Sequence, residues 1–291
     1  MMLSTMLLMA LMASAQTKVA PKMQKGDKKT YVAETVATLN GQKEVKKKSV
    51  TDYKVIDQTA TGYVLECTTT SFESDADKTD LMGRVMGISE EMMKGVSIRL
   101  VTDKDGRITG IQNFDEVSRN IKNYAGKLID ELLESIPQVP VSKDDLVKQV
   151  TGGVTEAMLV ETFQGATSPL ALSGKTIAIG AQDDYTSNGM KMKRMYFPNT
   201  DGTITTTGSL NMSKDQMKQL IIDQLTKMAP DQAEMVKQNI DLVMQSVKIE
   251  MSEKAVYTLQ ADGWVKSIKS ESNNDAMGQK ISSKTTVTLQ P

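Results

Sequence analysis

Residues 29–72 read KTYVAETVATLNGQKEVKKKSVTDYKVIDQTATGYVLECTTTSF. Thr, Val and Tyr crowd Lys29–Leu39, and the run meets Asn40-Gly41, the strongest two-residue hairpin signal, because such turns need positive φ. A second strand-like run, Glu44–Asp57, passes through Thr61-Gly62 into a third, Tyr63–Phe72. The three together predict an antiparallel meander. Cys67 sits in the third run beside Glu66, which predicts a buried small hydrophobe instead of an activated thiol.

The same grammar continues outward. A Met-rich segment, Leu81–Met93, has helical character despite Gly83 and Gly87, and Val96–Thr102 turns at Asp105-Gly106 into Arg107–Ile111. Asn113-Phe114-Asp115-Glu116 is a capping box opening a helix with Val117, Ile121, Tyr124, Leu128, Leu132 and Ile136 on one stripe, stopped by Pro137 and Pro140. A shorter helix starts at Ser142, is interrupted at Gly152-Gly153 and resumes through Phe163; Gly165–Leu172 reads as a crossing loop. Thr176–Gln182, Met190–Phe197 and Thr203–Met212 read as strands. Ser213–Gln216 then caps a helix bearing Met217, Leu220, Ile221, Leu225 and Met228, which continues from Pro230 with Met235, Val236, Ile240 and Val243. Val247–Met251 leading into Ala255–Gln260, then Trp264–Ser270 and Lys280–Leu289, close the chain as strands. The segment 105–111 echoes 262–268, either as the trace of two related halves or as the recurrence of Asp-Gly hairpins in any antiparallel sheet.

Composition excludes much. The 291 residues carry Lys+Arg 35 against Asp+Glu 36, so no bulk field selects nucleic acid. There is no histidine and only one cysteine, which removes Ser-His-Asp and Cys-His hydrolysis, His-ligated metals, multi-Cys metal sites and intrachain disulfides. Residues 1–15, MMLSTMLLMALMASA, hold an apolar stretch from Met6 to Met12 that is too short to span a bilayer, and end in Ala13-Ser14-Ala15. This predicts a signal peptide cleaved before Gln16, although no Lys or Arg precedes the apolar stretch. Without cysteine at Gln16 there is no lipid anchor by that route. The expected location is periplasmic or extracellular, and the expected product is 16–291 as a single α+β domain. Alternatively it comprises two similar halves, 24–136 and 172–291, joined by a helical segment 137–171.

Motifs that invite an activity fail on spacing. With Gly106 at the sixth position, an EF-hand loop would need ligands at Val101 and Gln112. Ser173-Gly174-Lys175-Thr176 resembles the end of a phosphate loop, but its first glycine would fall on Pro169. Met190 and Met192 alternate with Lys191 and Lys193, the pattern of a half-buried strand more than of a thioether copper site. The acidic loop at Glu73, Asp75, Asp77 and Asp80 reads as solvated, and Lys46-Lys47-Lys48 as edge protection. No carboxylate pair for glycoside chemistry can be named, and aromatic content is only 4%.

Lys25-Gly26-Asp27-Lys28-Lys29-Thr30-Tyr31 and the hairpin Tyr257–Ile268, on an exported chain without a lipid cysteine, resemble the uncharacterised secreted and lipoprotein-like families common in Bacteroidota. The likeness covers most of the mature chain in layout. Those families have no established catalytic residues, so none is carried over. In fold the layout is distantly similar to the lipoprotein-carrier half-barrels of the bacterial envelope, an analogy that does not set function.

The expected fold is α+β: a large twisted antiparallel sheet, half-barrel or two related halves, with helices 113–136, 142–163 and 213–245 packed on one face. The expected function is non-enzymatic: an envelope binding protein holding an apolar small molecule, lipid or lipoprotein-like ligand between sheet and helices. Met82, Met86, Met217, Leu220, Met228 and Met235 are the candidate ligand-facing residues, since methionine adapts to variable apolar guests or fills a core. The alternative is an assembly protein that binds an envelope protein through a strand edge or apolar patch. No catalytic residue, cofactor, metal, nucleic-acid partner or membrane span is expected.

Overall fold

A computed structural model describes residues 16–41, 43–77, 94–135, 142–151, 154–187, 190–228, 240, 249–276 and 279–291. Strands β2 (Lys28–Leu39), β3 (Lys43–Gln58), β4 (Gly62–Ser74), β5 (Ser97–Asp103) and β6 (Ile108–Ile111) form the N-terminal arm of one sheet. The other arm comprises β8 (Gln182–Ser187), β9 (Met190–Pro198), β10 (Ile204–Leu210), β11 (Ile249–Leu259), β12 (Val265–Ala276) and β13 (Gln279–Leu289). The order is β6-β5-β4-β3-β2-β13-β12-β11-β10-β9-β8, antiparallel at every step. Every neighbour is also a sequence neighbour except β2 and β13, whose pairing of Tyr31 with Leu289 through Leu39 with Ile281 joins the arms. The fold expectation of a large antiparallel sheet with helices therefore holds, and the arms form one sheet, open at both edges.

Helix α1 (Phe114–Ser135) opens where the capping box placed it, and α2 (Lys143–Thr151) and α3 (Glu156–Gln164) flank the Gly152-Gly153 break. Helix α4 (Lys214–Met228) begins after Ser213, whose hydroxyl accepts from Gln216 N–H at 3.2 Å while the Gln216 side chain accepts from Ser213 N–H at 2.9 Å. The buried stripe of α1 is Val117, Ile121, Ala125 and Ile129, spaced by fours; Tyr124 and Leu128 lie at its half-buried margin.

The sheet curls strongly. Helix α3 touches both edge strands, β6 and β8. Laid flat, eleven strands would hold their edges about 48 Å apart, whereas a nine-residue helix measures about 13 Å. At the β6 edge the Glu156 carboxylate accepts from Ile111 N–H at 2.6 Å, and the Gln164 amide donates to Ile108 C=O at 3.2 Å. The helix thus supplies backbone partners that the edge strand otherwise lacks.

Gly165–Leu172 is a loop, as expected, built of successive turns, and it is buried from Ser168 onward: Leu170, Ala171 and Leu172 belong to one core cluster with Tyr31, Tyr53, Leu65, Leu100, Tyr257 and Ile268. Two expectations need correction. The expected strand Thr176–Gln182 divides at Gly180, φ +73°, into β7 (Lys175–Ile177) and the start of β8. β7 pairs instead with β1 (Thr17–Val19), a strand not anticipated. The Asn40-Gly41 connection has three residues, since Leu39 pairs with Lys43, although Asn40 (φ 50°) and Gly41 (φ 69°) do take the positive φ their identities suggested.

Cys67 is 4% exposed, pairs across the ladder with Tyr53 and Ile98, and burial pushes its thiol up to about 12. At pH 8 only about one thiol in ten thousand is then ionised. Iodoacetamide is expected to leave Cys67 unmodified in the native protein and to alkylate it fully in urea, read by mass; rapid native labelling would contradict this burial.

Candidate functional site

Inward-pointing residues line up in rows across the trough because register is continuous. One row, Ile204–Tyr257–Ile268–Val287–Ala33, is apolar and lies under the buried 165–172 segment. The next, Thr206–Ala255–Ser270–Thr285–Thr35, is largely hydroxylic, with Thr35 and Thr285 hydroxyls 2.9 Å apart. A further row runs Asp183–Arg194–Gly208–Glu253–Ser272–Ser283. The trough thus changes from apolar to polar within two ladder steps.

The third row holds the site. Gly208, lacking a side chain, lets Tyr185 of β8 reach over β10 and donate to Glu253 Oε2 at 2.9 Å; Ser187 donates to the other oxygen at 3.0 Å. A Cβ at Gly208 would lie 2.2 Å from Tyr185 Oη. Gly208→Ala is therefore expected to release Tyr185 from Glu253 and to cost about 1–3 kcal/mol, read by urea unfolding. Tyr185→Phe combined with Gly208→Ala should then cost almost nothing beyond the glycine substitution alone; full additivity would place the clash elsewhere.

Arg194 is 1% exposed. Its guanidinium stacks on Tyr185, 4.2 Å to the centroid, and Nη2 donates to Gln164 C=O, the C-terminal end of α3, at 3.2 Å. Nη1 is buried without a partner. Asp183 opposite accepts from Tyr196 at 2.8 Å and is paired with Lys175. Burial pushes the Tyr185 and Tyr196 hydroxyls up, with a nearby carboxylate adding to each, and draws the Lys175 ammonium down. These phenols remain protonated donors at neutral pH.

Two recesses flank this network. The first, about 290 Å³, lies between α3 and strands β8, β11, β12 and β13, against Glu161, Glu253, Ser270, Ser272, Asn274 and Ser283. The second, about 370 Å³, is bounded by Glu161, Gln164, Lys175, Asp183, Asp184 and Tyr185. Their size suits a small ligand; Met158 and Ala166 line the first beside its hydroxyl and carboxylate groups and Lys175 and Lys191 line the second, so the walls carry more polar groups than the methionine-rich lining the sequence led us to expect. Met82, Met86 and Met235 lie outside the described residues. Met217 is half-buried in α4 and lines neither recess; Leu220 and Met228 belong to the same helix. Sequence reading missed Arg194, Glu253 and Asn274. Arg194 lay on the alternating face of the expected strand Met190–Phe197, whereas Glu253 and Asn274 fell outside the expected strand runs, and polar residues on an inward face carry no period of their own.

No family model and no curated protein matches the chain. Among solved structures, it is similar to lipovitellin, determined for its lipid–protein interactions, with TM-score 0.43 and 9% identity over 93% of this chain; the match spans 26% of that chain. Among the described residues no helix is long and apolar enough to cross a membrane.

Proposed function

We propose that the chain is an exported, non-enzymatic binding protein of the cell envelope that holds an amphiphile, a lipid or acylated molecule, in the trough. The observation that carries this reading is the recess of about 290 Å³, whose wall sets Met158 and Ala166 beside Glu161, Glu253 and Asn274. An acyl chain needs apolar contact and a head group needs hydrogen-bonding partners, and the trough has to offer both. The Met-rich sequences suit the first need. Residues 81–93 separate β4 from β5, and 229–248 separate α4 from β11.

Asp183 and Glu253 each already accept two side-chain donors, an arrangement that favours a structural role over nucleophile or proton-shuttle duty. At one of the two sheet edges a partner strand would meet Glu156 and Gln164, which already bond Ile111 N–H and Ile108 C=O of β6. The test is native mass spectrometry of the protein purified from its own envelope, beside the denatured mass. Extra mass lost on denaturation and extractable as lipid supports the reading; a bare mass overturns it in favour of a protein partner.

A further inference from the structure

We infer that the smaller recess is a subsite for a primary ammonium group, which, resting on the amphiphile reading above, makes the head group of the preferred ligand cationic. Among the described residues its walls carry two carboxylates, Glu161 and Glu253, and no Lys or Arg. Asn274 Oδ1 is buried there without a partner. Ser272 and Ser283 already satisfy one another at 2.9 Å, and Ser187 and Tyr185 are turned onto Glu253. What the recess lacks is a donor carrying positive charge. An unpaired buried carbonyl and two carboxylates in a partly enclosed space both cost free energy that an ammonium, with three donors on a compact charge, offsets. Arg194 does not meet the need: it is two strands away in the same row, stacked on Tyr185 and bonded to Gln164, and does not line the recess.

The ligand geometry follows from the rows. Ser270 sits one ladder step from Ser272, toward apolar Ile268. That row is closed by Leu170–Leu172, so an alkyl chain attached to the ammonium has its apolar contact within the recess itself, at Met158 and Ala166.

Isothermal titration of the mature protein at pH 7 with octylammonium, octanol and octanoate, each below its micelle concentration, tests the subsite. Octylammonium is expected to bind about tenfold more tightly than octanol, the ratio of one partly shielded ion pair, and octanoate more weakly than either. Glu161→Gln and Asn274→Val should each reduce the octylammonium preference, while Glu271→Gln on the opposite face of β12 should leave it unchanged. Equal binding of octylammonium and octanol overturns the ammonium subsite and leaves the amphiphile reading standing. A preference for octanoate, or a preference untouched by Glu161→Gln and Asn274→Val, overturns it as well. Binding of none of the three also overturns the subsite, whereas the amphiphile reading falls only on a bare native mass.

Discussion

Trp264→Ala is expected to lower the stability of the folded chain by about 3–5 kcal/mol, the range for removing a buried large aromatic. Trp264 is 1% exposed and follows the Asp262-Gly263 turn into β12. Its indole N–H donates to Lys22 C=O at 3.0 Å, and Lys22 N–H donates to Asp262 C=O at 2.8 Å. Lys29 lies over the ring, 5.9 Å from its centroid, and is paired with Asp262 at 3.0 Å. The ring therefore holds the extended stretch containing Val19 and Met23, both buried, against the turn. Trp264→Phe keeps most of the apolar volume and loses the donor, so a cost of about 1–2 kcal/mol is expected. Urea midpoints at constant m-value measure both. A loss below about 1 kcal/mol for the alanine variant would mean the ring does not anchor this stretch.

The second large effect is expected at Arg194. Truncation to alanine removes the stack on Tyr185, the cation at the C-terminal end of α3 and a large buried volume, with an expected cost of about 3–5 kcal/mol. Arg194→Met should recover most of that loss. Methionine refills the space and removes Nη1, a buried donor without a partner, and Asp183 retains Lys175 and Tyr196. The two variants separate packing from charge: if methionine is as damaging as alanine, the guanidinium's charge, not its bulk, locks α3 to the trough. Because Gln164 also bonds to Ile108 on β6, loss of that lock should speed amide exchange at Ile111, beside the far edge.

What the sequence revealed depended on the range of each interaction. The meander from Lys29 to Phe72 was legible because side chains alternate with period two and turns demand residues with particular φ preferences, both local constraints. Asn113–Glu116 and Ser213–Gln216 announced their helices for the same reason. Gly165–Leu172 was legible as a loop from its small and turn-forming residues, but its burial was not, since only the curl of the sheet creates the space that Leu170 and Leu172 fill. β1 escaped notice because it has three residues and pairs only with the equally short β7.

The candidate site shows the same division. The absence of histidine and the single cysteine ruled out whole classes of chemistry at once, since composition needs no geometry. Sequence also determined the antiparallel arms, the helix starts and the burial of Cys67. Tertiary structure alone decided that β2 meets β13, that α3 spans two edges which a flat sheet would separate widely, and that Gly208 leaves room for Tyr185 to reach Glu253. Those contacts join residues tens to hundreds of positions apart, where loop-closure entropy must be offset by packing across the whole trough. No local pattern encodes them.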